Sequence, residues 1–196
     1  MALHSSLSDS AEGGNIAFAM RHGALHICAM IKDPLSRLVR AWLLTAVIDG
    51  LFSSVLSVAF SGSTVARLFQ GVASTLLGKS ALEGGTRTAL VGLLMHFGVA
   101  LGWSSVFLLL AMRSAWLRRV LGRPYGALRV ASVYGPCIWM VMSLVFIPLL
   151  LNRPPTFNIR WWVQFFGHIP FVGLPITASI RTGLVPDAHP QPHWSS

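Results

Sequence analysis

Four long apolar segments, separated by short polar stretches, dominate the sequence. They cover about residues 41–61, 88–112, 128–151 and 159–180. At about 1.5 Å per residue, a helix over each of them is long enough to cross the roughly 30 Å hydrocarbon core of a bilayer. The pattern therefore predicts an all-α integral membrane protein in which four transmembrane helices form a bundle.

The remaining segments are shorter or more polar. The segment 63–79 carries its apolar residues at spacings of three, four and seven, which places them on one helical face. It is too short and too polar for a span, so it is predicted to be an interfacial amphipathic helix. Residues 1–40 form a predicted cytoplasmic segment, partly disordered or interfacial, in which Met20 is an alternative start. The membrane domain is 41–181, and a polar tail covers 182–196.

The charged residues are few and mostly basic. Lys and Arg outnumber Asp and Glu by 15 to 6, but only 11% of all residues are charged, against about 25% in a soluble domain. Most of the surface is therefore expected to face lipid. The basic residues lie at the ends of the apolar segments, which favours anionic lipid headgroups as partners over nucleic acid. Ten of the 15 lie on the side of the N-terminus, among them Arg118 in a short basic loop predicted after the second span. Five, among them Arg67 and Arg160, lie on the other side, so both termini are predicted to be cytoplasmic.

One carboxylate lies close to the middle of the first span. If ionised and unpaired there, Asp49 costs about 2.5 kcal/mol or more. Thr45, Asp49, Ser53 and Ser57 repeat every four residues and so form one stripe along the helix, here called the polar stripe. Such a stripe is expected to face the interior of the bundle, because lipid would leave its groups without hydrogen-bond partners.

Two histidines lie at similar depths in other spans. His96 and His168 are roughly 12–14 Å from the outer ends of their spans, and Asp49 is roughly 18 Å from the end of its own. Gln164 shares a helical face with His168, four residues away. The sequence predicts an intramembrane polar layer made of Asp49, His96, His168, Thr45, Ser53, Ser57 and Gln164.

Three functions are compatible with such a layer. In the first, which we prefer on sequence alone, it fixes helix register in a non-catalytic structural, assembly or envelope-support protein. In the second, Asp49 with His96 and His168 titrates along the pathway of a small proton-linked transporter or channel. In the third, His96 and His168 ligate a haem iron from two helices. The chain carries no GxSxG, HExxH, P-loop or metal-ligand spacing, so neither enzymatic activity nor a metal site is expected.

A small-residue pattern lies in the second span. Gly98 and Gly102 are four residues apart, a spacing that lets membrane helices approach closely. The pattern predicts helix packing at these glycines, either within the chain or in a homo-oligomer.

Two stretches of the chain resemble the YagU-like bacterial inner-membrane proteins. The first is Leu94–Phe107, in which His96 is followed by small and aromatic residues. The second runs from Pro148 to His168 and contains a Pro-Pro pair, a Trp-Trp pair and a final Gly-His. The resemblance covers about half the chain and implies a bacterial inner-membrane location and a four-helix architecture. It implies no reaction and no ligand.

Overall fold

Helices make up almost all of the described chain. A computed structural model of the protein describes the backbone of residues 5–182 and the side chains of residues 33–182, and this part contains no strand. The all-α prediction is therefore confirmed. The helices are α1 (Ser5–Ser61), α2 (Val65–Leu77), α3 (Gly85–Arg113), α4 (Ala115–Gly122), α5 (Gly126–Leu151) and α6 (Ile159–Arg181).

Four of these helices are long and apolar enough to cross a membrane, namely Asp33–Ser61 of α1 and the whole of α3, α5 and α6. The protein is therefore a multi-pass membrane protein. The last three spans begin and end within three residues of the predicted positions. The helix that contains the first span, α1, continues without a break through Arg37 and Arg40, so the predicted start of this span at residue 41 stays a prediction. Long basic side chains can extend from a helix end to the polar interface, so they need not terminate a span.

Contacts within the chain divide it into two units, Met1–Ser36 and Arg37–Ser196, and every helix after α1 belongs to the second. The backbone is helical from Ser5 onward, and Pro34 lies inside α1. The interfacial position predicted for residues 1–40 stays a prediction. The polar tail predicted over 182–196 lies outside the described residues beyond Thr182.

The last span is the most enclosed. Half of the apolar window of α6 is buried inside the protein, compared with 22% for each of the other three spans. α6 packs along α5 and also contacts α3 and α4. A closely packed apolar core lies where the second half of α3 and the end of α6 meet α4 and α5. Its members are Ala41, Phe107, Leu108, Ala111, Leu117, Leu121, Ile138, Val172, Ile176 and Ile180.

The basic stretch after the second span is a helix rather than a loop. α4 starts immediately after Ser114, whose side chain accepts a hydrogen bond from the backbone N–H of Leu117. Arg118 donates to the backbone oxygens of Ala111 and Met112, at 3.0 and 2.7 Å. These carbonyls end α3 and have no partner within their own helix. The sequence reasoning treated Arg118 as a topology signal and missed this capping role.

Within the described residues, close helix contacts form at glycines other than the predicted pair. A Cβ added at Gly98 or Gly102 would have nothing within 4 Å, so packing of this pair in a homo-oligomer stays a prediction. A Cβ at Gly92 would instead lie 1.8 Å from the Phe69 backbone oxygen, and one at Gly135 would lie 2.2 Å from the His168 backbone oxygen. Close packing therefore joins α3 to α2 at Gly92 and α5 to α6 at Gly135.

Both α5 and α6 contain a π-helical turn. Met142–Phe146 lies in α5, two residues before Pro148, and Ile169–Gly173 lies in α6 and contains Pro170. Proline has no N–H to donate, so it interrupts the regular ladder of a helix and leads to such local rearrangements. The second π turn begins directly after His168, and π turns in helices often occur at functional sites.

Candidate functional site: an intramembrane cavity

A cavity of about 890 Å³ lies between α1, α2, α3, α5 and α6. This volume is within the range of about 300–1,000 Å³ that holds small molecules in proteins. All four members of the polar stripe line it, and Ser61 extends the stripe by one more step of four residues. The stripe therefore faces the interior of the helix assembly and forms one polar wall of the cavity.

The opposite walls are mainly apolar. α2 contributes Leu68 and Val72, and α5 contributes Phe146, Ile147 and Leu150. α2 contacts both α3 and the end of α5, so this helix closes one side of the cavity. Its bounds agree with the predicted amphipathic helix 63–79, while its placement at the membrane interface stays a prediction. The cavity is thus amphipathic, with a polar wall on α1 and apolar walls elsewhere.

Asp49 and His96 meet across this cavity. The Nδ1 atom of His96 is 4.0 Å from the Oδ2 atom of Asp49, and the two side chains are 15% and 17% exposed. The Nε2 atom of His96 is 2.9 Å from the backbone oxygen of Ala46. A carbonyl oxygen only accepts hydrogen bonds, so Nε2 carries the hydrogen and donates it. In the neutral imidazole the unprotonated Nδ1 atom therefore faces the carboxyl group of Asp49.

Gly50 makes this arrangement possible. A Cβ added there would lie 3.3 Å from the Nε2 atom of His96, so a larger residue would crowd the imidazole. Trp42 fixes the same pair of helices by donating from Nε1 to the backbone oxygen of Phe97 at 2.8 Å. Contacts on both sides therefore hold His96 against α1.

His168 lies on another wall of the same cavity. It is 6% exposed, its Nδ1 atom is 2.7 Å from the backbone oxygen of Gln164, and its ring packs against that of Trp139 with centroids 4.9 Å apart. The Gln164 amide nitrogen is 3.5 Å from the Ser53 hydroxyl, a long contact. The structure therefore brings all seven residues of the predicted polar layer to one cavity, with few direct hydrogen bonds among them.

Several polar atoms around the cavity lack partners. Among the described residues, buried atoms without a hydrogen bond include Thr45 Oγ1, Asp49 Oδ1, Trp139 Nε1 and Gln164 Oε1, and all four residues line the cavity. A buried polar group that is left unpaired costs about 1–3 kcal/mol. A layer that only fixed helix register would be expected to pair these groups with one another. These unpaired atoms are better suited to form hydrogen bonds with polar molecules or ions that enter the cavity.

Two arginines line the cavity near the turn between α1 and α2. Arg160 donates to the hydroxyl of Ser61 at 2.9 Å, and Arg67 donates to the backbone oxygen of Leu82. Sequence reasoning counted both as topology signals and so did not select them. Trp139 was also missed, because a tryptophan within an apolar segment gives no signal of a free N–H.

The geometry fits a haem poorly. A haem ligated by two histidines needs a free nitrogen on each imidazole directed at one iron atom. His96 uses Nε2 in its hydrogen bond to Ala46, and its other nitrogen faces Asp49. His96 could therefore ligate an iron atom only through Nδ1, in place of its contact with Asp49.

Comparisons with known proteins give no match, whether with protein-family models, with curated proteins or with solved structures. The fold and the cavity therefore define the class of the protein by themselves. It is an all-α, multi-pass membrane protein with a cavity between its helices that has one polar wall and otherwise apolar walls. The resemblance to YagU-like proteins stays a prediction.

Proposed function

We propose that the protein is a small proton-linked transporter or channel in which Asp49 and His96 together bind the transported proton. The observation that carries this proposal is the cavity itself, because it connects the polar stripe to this pair. Sequence alone favoured a structural or assembly role, which requires a filled and paired polar layer. The unpaired polar atoms around the cavity favour transport instead.

The pair has the chemistry of a proton acceptor. When His96 is neutral and Asp49 is ionised, a nitrogen lone pair faces a carboxylate across 4.0 Å. One proton taken up at Nδ1 turns this contact into an attractive pair of imidazolium and carboxylate. His168 provides a second imidazole in the same cavity. A proton can therefore be held at mid-span without an isolated charge in the membrane.

We further propose that the protein is a non-enzymatic component of a bacterial inner membrane, related to the YagU-like proteins, with both termini in the cytoplasm. The excess of basic residues on the side of the N-terminus supports this orientation. In that orientation Arg67 and Arg160 lie toward the opposite, outer side.

Proton uptake by reconstituted vesicles tests the transport proposal. Purified protein in vesicles of phosphatidylethanolamine and phosphatidylglycerol is exposed to a potassium–valinomycin potential, and an enclosed pH-sensitive dye reports proton entry. We expect wild-type protein to accelerate uptake over protein-free vesicles. His96→Gln keeps a polar side chain but does not take up a proton, so it should slow uptake by roughly 10²-fold, the lower end of what one positioned proton-transfer group contributes in enzymes. Wild-type uptake no faster than that of protein-free vesicles would overturn the proposal.

A further inference from the structure

We infer that the cavity binds an amphipathic anion from the membrane, a molecule with one apolar chain and a phosphate or similar headgroup, and that Arg67 and Arg160 hold the headgroup. This inference deepens the proposed function by naming the class of molecule that occupies the same cavity. It concerns binding, which can be measured without any proton flux.

Two arginines line the cavity near the turn that joins α1 to α2. Arg160 donates to the hydroxyl of Ser61, the last residue of α1. Arg67 lies in the first turn of α2, and its guanidinium group donates to the backbone oxygen of Leu82. Ser63 of the same turn also lines the cavity. Two cationic residues and two hydroxyl groups therefore line the cavity around the junction of α1 and α2.

These two cations have hydrogen-bonding capacity to spare. An arginine has five N–H donors, and each of these two makes one side-chain hydrogen bond in the described structure, to a neutral oxygen. Neither forms a salt bridge with a carboxylate of the described chain. The starts of α2 and α6 add the positive ends of two helix dipoles near the same place. This part of the cavity is thus suited to an anion.

The remaining walls of the cavity are suited to an apolar chain. Leu68, Val72, Phe146, Ile147 and Leu150 present aliphatic and aromatic surface next to the arginines. A small soluble anion such as inorganic phosphate would leave this surface uncovered, whereas an apolar chain would cover it. Charge and apolar surface together select an amphiphile over a free ion, and a bilayer is the source of such molecules.

Equilibrium binding to protein in phosphatidylcholine nanodiscs tests this inference, with protein-free nanodiscs to subtract partitioning into lipid. The probes share one chain and differ in the headgroup: dodecyl phosphate, dodecanol and dodecyltrimethylammonium. We expect that dodecyl phosphate is the only one of the three probes that binds saturably. Inorganic phosphate at the same concentration should not compete with it. Arg67→Gln and Arg160→Gln should each weaken binding about tenfold, the effect of losing one charged hydrogen bond.

Arg153→Gln is the matched control, because Arg153 belongs to the same turn region before α6 but does not line the cavity. Its affinity should equal that of the wild type. Equal binding of the three probes, or equal affinity in all three variants, would overturn the inference. If the Arg67→Gln and Arg160→Gln proteins fail to fold, the comparison of the three probes on the wild-type protein still tests the inference. If the protein binds dodecyl phosphate but does not accelerate proton uptake, this inference holds and the transport proposal is wrong. If it accelerates proton uptake but does not bind dodecyl phosphate, the transport proposal holds and this inference is wrong.

Discussion

Replacing Asp49 with asparagine is expected to reduce proton uptake to the rate of protein-free vesicles. Asparagine has the size and polarity of aspartate, but its amide group does not take up a proton as a carboxylate does. Because Asp49 is the only acidic residue that lines the cavity in the described structure, no other carboxylate can replace it. The measurement is dye-reported proton entry under a potassium–valinomycin potential, with Asp33→Asn as the control. Asp33 lies at the start of the first span and does not line the cavity, so its variant should match the wild type.

Thermal unfolding of the same Asp49→Asn protein separates transport from a structural role. An ionised carboxylate at mid-span costs about 2.5–3.5 kcal/mol, so its removal is expected to leave stability unchanged or raise it. If Asp49 instead served to hold the helices together through a permanent buried ion pair, breaking that pair would cost about 3–5 kcal/mol. Unchanged proton uptake together with a large loss of stability would support the structural role and contradict the transport proposal.

Gly92→Ala is expected to destabilise the protein by about 1–3 kcal/mol, the usual cost of overpacking a well-packed contact. The added Cβ would lie 1.8 Å from the Phe69 backbone oxygen and 3.0 Å from the Ala73 backbone nitrogen, so α2 as a whole must move away from α3. The Phe69 ring also contacts the His96 ring, with centroids 5.9 Å apart. Displacement of α2 should therefore lower proton uptake as well as the unfolding temperature.

Gly98→Ala provides the control in the same helix. A Cβ there meets nothing within 4 Å, and alanine favours a helix by up to about 1 kcal/mol over glycine. Its unfolding temperature, measured in the same detergent, should equal or exceed that of the wild type. If Gly92→Ala and Gly98→Ala destabilise the protein equally, the close contact at Gly92 is not the cause of the lost stability.

The spans were predictable because hydropathy is a local property. Each apolar segment is long enough on its own to indicate a membrane helix, and three of the four spans agree with their predicted boundaries to within three residues. The start of the first span stays a prediction, because Arg37 and Arg40 interrupt the hydropathy pattern but α1 continues through them. The helix α4 was missed because its eight residues are too polar to stand out from a basic loop.

The polar stripe could be predicted from a four-residue repeat, but the cavity could not. A repeat places side chains on one face of one helix. Whether facing helices fill the space beside that face depends on contacts between residues far apart in sequence, such as His96 with Ala46 and Arg160 with Ser61. The sequence carries no local signal for such contacts.

The glycine pattern does not show where helices pack, for a related reason. A spacing of four identifies small residues on one helical face, but not whether another helix lies against that face. In the structure, Gly92 lies against α2, and Gly135 and Gly173 lie together where α5 meets α6. None of these three has a second glycine four residues away in its own helix, so the spacing does not identify them.

Cysteine accessibility along α1 tests most directly the central claim that the polar stripe borders a transport cavity, because transport requires that polar solutes reach this face of the helix. Ser53→Cys and Val55→Cys are each introduced after Cys28 and Cys137 are replaced by serine, and each protein is treated in vesicles with a charged, membrane-impermeant methanethiosulfonate reagent. Ser53 lines the cavity, whereas Val55, two residues along the same helix, is 68% exposed on the outer, apolar surface. We predict rapid labelling of the Ser53→Cys variant and none of the Val55→Cys variant. Absence of labelling at position 53, with the protein folded, would contradict the claim.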